Sequence, residues 1–223
     1  EEVFAGYKES GYFPDAFINM LALLGWNPGT EQEIFSMEEL IQAFSLDRVG
    51  KSGSKFDPDK TKWFNQQYMK KQNDEDLLEA FKPILANHGV TILKDEMLTE
   101  VIDLVKERCV FVADIWDQSY FFFQTPTAYN EKVVKKRWKE QTPAQISDIK
   151  TILENSETWE AVAMHDLVAK YMEEKELGFG AVMNALRLAV VGDSKGPDLF
   201  KIIELIGKNE ALKRLDLALE NIQ

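Results

Sequence analysis

Residues 177–208, LGFGAVMNALRLAVVGDSKGPDLFKIIELIGK, decide how the rest of this chain reads. Val182, Ala185, Leu186, Ala189 and Val190 recur at helical spacing, with Asn184 and Arg187 as polar interruptions. Gly192 stops that helix, because glycine enters left-handed backbone angles at little cost. Ser194-Lys195-Gly196-Pro197 makes a corner, and Asp198 opens the following helix, where an acid complements the macrodipole. Two readings of the corner stand side by side. It offers Arg187, backbone N–H groups and a flat apolar surface to a ligand, or it is an ordinary helical hairpin with one exposed arginine.

Working outward, the pattern stays helical. A helix is expected over 10–25, with Pro14 in its first turn and Phe17, Met20, Leu21 and Leu24 on its buried stripe. Ser36 and Glu39 have the spacing of a capping box opening a helix through about residue 44. A turn-rich segment over 48–56 follows, and Asp57-Pro58 starts a helix carrying Trp63, Phe64, Tyr68 and Met69. Gln72-Asn73-Asp74 reads as a boundary before a helix over 75–87 with Leu77, Leu78, Phe81 and Leu85 inside. Pro83 is expected to kink that helix or end it early. Over 94–108, Met97, Val101, Leu104 and Val105 should face inward, leaving Arg108 at the C-terminal end, where the dipole favours a cation.

Val110-Phe111-Val112-Ala113 and Tyr120-Phe121-Phe122-Phe123 fit buried strands, or a helix with an aromatic connector, which the helical surroundings favour. Thr125-Pro126-Thr127 reads as a linker. Beyond it come a basic helix over 130–140, another over 144–154, and one over 159–174 capped from Ser156, with Val162, His165 or Met164, Leu167 and Tyr171 inside. His165 is isolated, and reads as a surface or core histidine rather than a ligand.

Composition narrows the function classes. With 45% hydrophobic and 11% aromatic residues over 223 positions, the chain can bury one sizeable core or two smaller ones. No apolar run reaches the roughly 18 residues of a membrane span, and the first residues, Glu1-Glu2-Val3, lack a secretory pattern. The single cysteine, Cys109, excludes an internal disulfide and a thiolate zinc cluster, which suits the cytoplasm. Acids outnumber bases 38 to 26, a net charge of −12, which argues against a non-specific RNA binder and suits a selective one. Local basic clusters exist at Lys51, Lys55, Lys60 and Lys62, at Lys70 and Lys71, and at Lys132, Lys135, Lys136, Arg137 and Lys139. The two histidines are far apart, and no phosphate loop or metal-ligand spacing is present.

LRLAVVG followed by GPDLFKIIELIGKNEALKRL resembles the C-terminal end of bacterial glutamyl-tRNA synthetases. Three further stretches resemble the same family in the same order: SGYFPDAFINMLALLGWNP with SMEELIQAFSLDRVGKSGSKFD, then KWFNQQYMK, then VIDLVKERCVFVADI. The resemblance implies an all-α, elongated multi-helix array lacking the catalytic core. Its expected parts are the end of a tRNA stem-contact domain over 1–72 and helical anticodon-binding subdomains over 73–127 and 128–223. Lys51-Ser52-Gly53-Ser54-Lys55 is similar to the family's Arg-Val-x-Lys-Ser segment, and is expected to be an RNA-facing or surface turn.

By the same resemblance, Arg108 falls where an arginine reads the third anticodon base, and Arg187 at the hairpin arginine that contacts the anticodon loop. Gly196, Pro197, Asp198 and Leu199 fall on the turn that packs around the first anticodon base. Lys51, Lys55, Lys70 and Lys71 are expected to hold phosphates. The implied partner is glutamate tRNA, engaged at its anticodon loop and inner stem by a monomer, with ATP and Mg belonging to the catalytic domain and no cofactor or metal here. An acidic protein–protein interaction module is the competing reading, and an independent enzyme a third.

Overall fold

The computed structural model describes residues 6–51, 53, 55–91 and 94–222. Every regular element among them is helical, apart from an isolated bridge between Trp26 and Val49. In chain order the α-helices are α1 (Pro14–Gly25), α2 (Met37–Ala43), α3 (Pro58–Lys71), α4 (Asp74–Asn87), α5 (Asp95–Val105), α6 (Asp114–Phe123), α7 (Glu131–Arg137), α8 (Thr142–Glu154), α9 (Ala161–Glu174), α10 (Phe179–Val191), α11 (Leu199–Ile206) and α12 (Lys208–Asn221). Short 3-10 turns cover Leu46–Arg48 and Lys106–Arg108. The chain forms two compact units, Glu1–Gln118 and Ser119–Gln223. The apolar run 110–113 is irregular, and Tyr120 to Phe123 form the last turn of α6, so neither is a strand.

In the first unit α1 packs on α3 and α4 on α5. Pro14 takes the first helical position of α1, where its missing N–H costs nothing. The buried side of α1 is Ala16, Asn19 and Met20; Leu21 is exposed, and Phe17 and Leu24 only half-buried, which corrects the expected stripe. Asn19 sets the rotation of the helix. Its Oδ1 accepts from Phe35 N at 2.9 Å and lies 2.9 Å from the Tyr68 hydroxyl, which also meets the Phe35 carbonyl. A buried amide oxygen that accepts from two other segments outranks the burial of one more leucine. Burial, reinforced by Asp15 and Glu39, pushes the Tyr68 hydroxyl up to about 12.

The Ser36–Glu39 capping box forms in full, with Ser36 Oγ accepting from Glu39 N and Glu39 Oε2 accepting from Ser36 N. Asp57 and Asn73 cap α3 and α4. α4 reaches Asn87 as expected, so Pro83 does not end it early. Leu77, Leu78, Phe81 and Leu85 are buried on both sides of it, at about 1.5–3 kcal/mol each. Their sum outweighs the roughly 3 kcal/mol that an interior proline costs. In α5 the buried residues are Leu98, Val101, Ile102 and Val105; Met97 and Leu104 are half-buried, one step off the expected face.

The second unit is built around α10, which packs against α7, α8, α9 and α12. Seven of its thirteen residues are buried, so it is apolar nearly all round, as a central helix must be. Gly192 ends it at φ 83°, and an added Cβ would lie 2.8 Å from the Ala128 carbonyl oxygen. The residue is therefore glycine for two reasons at once, handedness and space. α9 begins at Ala161, not 159, because Trp159 is used otherwise: its indole N–H donates to Ile203 O at 3.0 Å. The inner face of α9 is Met164, Val168, Tyr171 and Met172, while Val162 and Leu167 are exposed.

A buried arginine that sequence pattern does not reveal ties this unit together. Arg214 is 1% exposed. Its guanidinium donates to the carbonyls of Phe121 (2.7 Å), Val190 (3.0 Å) and Gln124 (3.1 Å), and its Nε to Glu210 Oε1 at 2.8 Å. Thr125 also donates to that carboxylate oxygen, at 2.5 Å, so the irregular segment expected as a linker is pinned to α12. Burial disfavours the charge on Glu210, but the bonds from Thr125 and Arg214 outweigh it and hold the carboxyl below its ordinary range.

Candidate nucleic-acid interface

One stripe of α10 escapes burial. Gly180, Met183, Asn184 and Arg187 follow the i, i+3, i+4, i+7 spacing of a single helix face, and all four line a cleft of about 350 Å³. Asp198, Leu199 and Phe200, opening α11, form the opposite wall, and His165 and Phe179 close one side. Asn184 is held by donating from its amide to the Gly180 carbonyl. Arg187 is half-buried, so its guanidinium is a fixed lining group of the cleft rather than a free surface charge.

The corner is shaped around that arginine. Gly196 stands at φ 131°, and a Cβ there would lie 3.0 Å from Arg187 Nη1 and 3.3 Å from the Phe121 ring. Only glycine combines that backbone angle with so close an approach. Pro197 is buried and Leu199, in the cleft wall, is 3% exposed, so the two do not offer a flat apolar surface. Asp198 is exposed and caps α11, its carboxylate accepting from Lys201 N at 2.9 Å, so one of the helix's opening N–H groups is already used. Arg187 and the turn Gly196-Pro197-Asp198-Leu199 thus come together as one feature. His165 and Phe179 belong to it as well. From sequence His165 reads as a surface or core histidine rather than a ligand, and Phe179 is not singled out, although it precedes the open stripe by one residue.

Arg108 lies in the first unit, in the 3-10 turn Lys106–Arg108 that follows α5. It is exposed and forms no ion pair among the described residues. Its neighbours are tied down on every side. Lys106 pairs with Asp74 (2.8 Å) and Asp103 (3.1 Å); burial opposes its charge, but those carboxylates outweigh burial and raise its pKa. Gln66 donates to Glu107 O at 3.2 Å. Asn65, fully buried, accepts from Phe13 N at 2.8 Å and donates to Val110 O at 2.6 Å. Burial, reinforced by Asp114, pushes the Cys109 thiol up to about 12 against the opposing pull of Arg108, leaving it an inert anchor. A rigid turn therefore presents a single uncommitted fork of donors.

Lys70 and Lys71 are exposed in the last turn of α3, where the dipole favours them. Lys51 and Lys55 are exposed too, while Ser52 and Ser54 of the same segment lie outside the described residues. Arg48, which opens that segment, turns its guanidinium onto the Pro28 carbonyl. No group of three or more histidine, cysteine or acidic residues able to hold a metal occurs among the described residues, and no helix there is long and apolar enough to cross a membrane.

Comparisons with known proteins point one way. A family model described as "Anticodon binding domain" matches residues 60–219, and one described as "tRNA synthetases class I (E and Q), catalytic domain" matches residues 3–63. A glutamate–tRNA ligase of Flavobacterium johnsoniae is 48% identical over 219 residues, and one of Porphyromonas gingivalis 45% identical over 219. These alignments cover 98% of this chain and 43% of each relative, so the chain spans less than half the length of the curated relatives it matches. The crystal structure of a glutamate tRNA ligase from Elizabethkingia meningosepticum superposes with a TM-score of 0.92 at 41% identity, covering 98% of this chain and 43% of that one. A glutamate–tRNA synthetase from Elizabethkingia anophelis gives 0.89, also at 41% identity, covering 97% of this chain and 42% of that one.

Proposed function

The chain belongs to the anticodon binding domain family, and we propose that it inspects the anticodon loop of glutamate tRNA for a class I glutamate–tRNA ligase. The observation that carries this is the joint presence of the family match over 60–219 and a glycine-shaped cleft around Arg187 within it. RNA sequence is read mainly at unpaired bases, which can be splayed out and gripped by their edges. Arginine suits that task because its planar fork keeps its charge and presents paired donors.

Arg108 is assigned to the third anticodon base. Cytosine offers a carbonyl oxygen and a ring nitrogen as acceptors, whereas guanine turns N–H donors toward the same fork. Such a contact contributes about 1–3 kcal/mol of discrimination. Arg187, with Gly196, Pro197, Asp198 and Leu199, holds the first part of the anticodon. Lys51, Lys55, Lys70 and Lys71 take phosphates of the inner stem, which fix register without carrying sequence information. The ATP- and Mg-dependent attachment of glutamate is assigned to a nucleotide-binding region of the ligase, outside these residues, working in the cytoplasm in a monomer.

The competing reading, an acidic protein–protein interaction module, drew on the aromatic runs. Phe121 and Phe122 are 3% and 5% exposed, so those rings belong to a core and not to a docking face. The test is titration of anticodon stem-loops that differ only at the third anticodon base. Arg108→Ala should lower affinity for the cytosine loop and leave the others nearly unchanged; equal losses for all four bases would refute the assignment.

A further inference from the structure

The side of the Arg187 cleft is aromatic, and its geometry is that of a platform. Phe200, 2% exposed, is a core ring. His165 stands on it edge to face, with centroids 5.3 Å apart and planes at 84°. Phe179 continues the row, 6.2 Å from His165. The wall is thus anchored at one end in the core and open at the other, where Phe179 is 54% exposed. An exposed aromatic ring at the rim of a cleft that also holds an arginine offers a face on which a flat ligand can stack.

A cleft of about 350 Å³ lies at the small end of ligand sites, sized for one ring system. Every nucleobase has a π-face, and a ring stacked on the wall still shows its edge to Asn184, Arg187 and Asp198. We infer that Phe179, backed by His165, is the stacking wall for one unpaired base of the RNA, and that it supplies affinity without choosing the base. This rests on the reading of the cleft as an anticodon site and adds to it a division of labour, in which polar groups choose and the aromatic wall holds.

The experiment uses the 223-residue chain and a glutamate-tRNA anticodon stem-loop carrying 2-aminopurine at the first anticodon position, a base whose fluorescence is quenched by stacking. Phe179→Ala should lower affinity by about 5- to 150-fold, the range of losses for removing one base–aromatic stack. The loss should be the same for all four natural bases at that position, the bound fluorophore should brighten, and the slope of affinity against salt should not change. Phe179→Tyr should restore both affinity and quenching. Because Phe179 is exposed, the melting temperature of Phe179→Ala should match that of the unaltered chain, which separates a binding loss from a folding loss. Affinity within twofold of the unaltered chain, a loss confined to one base, or a changed salt slope would each overturn the stacking role. If Arg187→Ala still weakened binding, the anticodon reading would survive that result. If the unaltered chain bound no stem-loop at all, both would fall together.

Discussion

Three arginines illustrate how side-chain environment sorts function at the scale of single residues. Arg108 is exposed on a turn whose other groups are committed, Arg187 is half-buried in a cleft, and Arg214 is enclosed by three carbonyls and a carboxylate. Sequence separates the first two from the third poorly. Glu210 and Arg214 stand four apart on a helix, a spacing that reads as a solvent-exposed ion pair worth a few tenths of a kcal/mol. In the fold Arg214 is buried and Glu210 half-buried, and Arg214→Ala would leave three carbonyls without their donor and Glu210 with only Thr125 and Lys213. A loss of about 3–5 kcal/mol is expected in urea unfolding of the second unit; a change below about 1 kcal/mol would contradict this role. The same pair sets a pH response. The carboxyl of Glu210 is held below its unfolded value, so its contribution is fully present above about pH 4.5 and is lost as pH falls through the lowered folded value. Glu210→Gln should therefore be less stable at neutral pH and flatten the acid limb of the stability curve; parallel curves for the two proteins would sink the assignment.

Among whole elements, the one read best from sequence is α10. Its buried positions Val182, Ala185, Leu186, Ala189 and Val190 and its glycine stop are all found as expected. Gly192→Ala should destabilise by more than the roughly 1–2 kcal/mol of a left-handed alanine, because the new Cβ also meets the Ala128 carbonyl. Thermal melts give the answer, and a shift within experimental error would mean that the turn rearranges freely. The capping box at Ser36, helix starts at Pro14 and Pro58, and the corner at Gly196 were legible because they depend on neighbours in sequence. The cap expected from Ser156 does not form, α9 being preceded by Glu160 without a side-chain cap. The faces of α1, α5 and α9 were misjudged by a step, two of them for a different reason. α1 is rotated by long-range partners, Phe35 and Tyr68 for Asn19, and α9 is shortened by one, Ile203 for Trp159; among the described residues no buried hydrogen bond of that kind accounts for the shift of α5. The Arg187 cleft was half legible: its arginine and turn were named, whereas His165 and Phe179 enter it only through the approach of α9 and α10 to α11.

For the molecule as a whole, a net charge of −12 coexists with exposed lysines on the first unit. Exposed acids repel RNA at long range, so binding should require local phosphate contacts and correct base contacts together. Phosphate contacts release counterions and weaken with salt, while contacts to base edges do so far less. Lys70→Ala and Lys71→Ala together should lower affinity for all loops alike and reduce the salt slope, with no change in base preference. An unchanged slope would remove those lysines from the interface.

The claim that most depends on this division is that sequence is read by base contacts while phosphates merely position the RNA. It is tested most directly by measuring affinity against salt concentration for two anticodon stem-loops, one with cytosine and one with guanine at the third anticodon position. The account predicts two parallel descending lines, with the cytosine loop bound about 5- to 150-fold more tightly throughout, matching about 1–3 kcal/mol for one base contact. Two coincident lines, or lines that converge as salt rises, would contradict it.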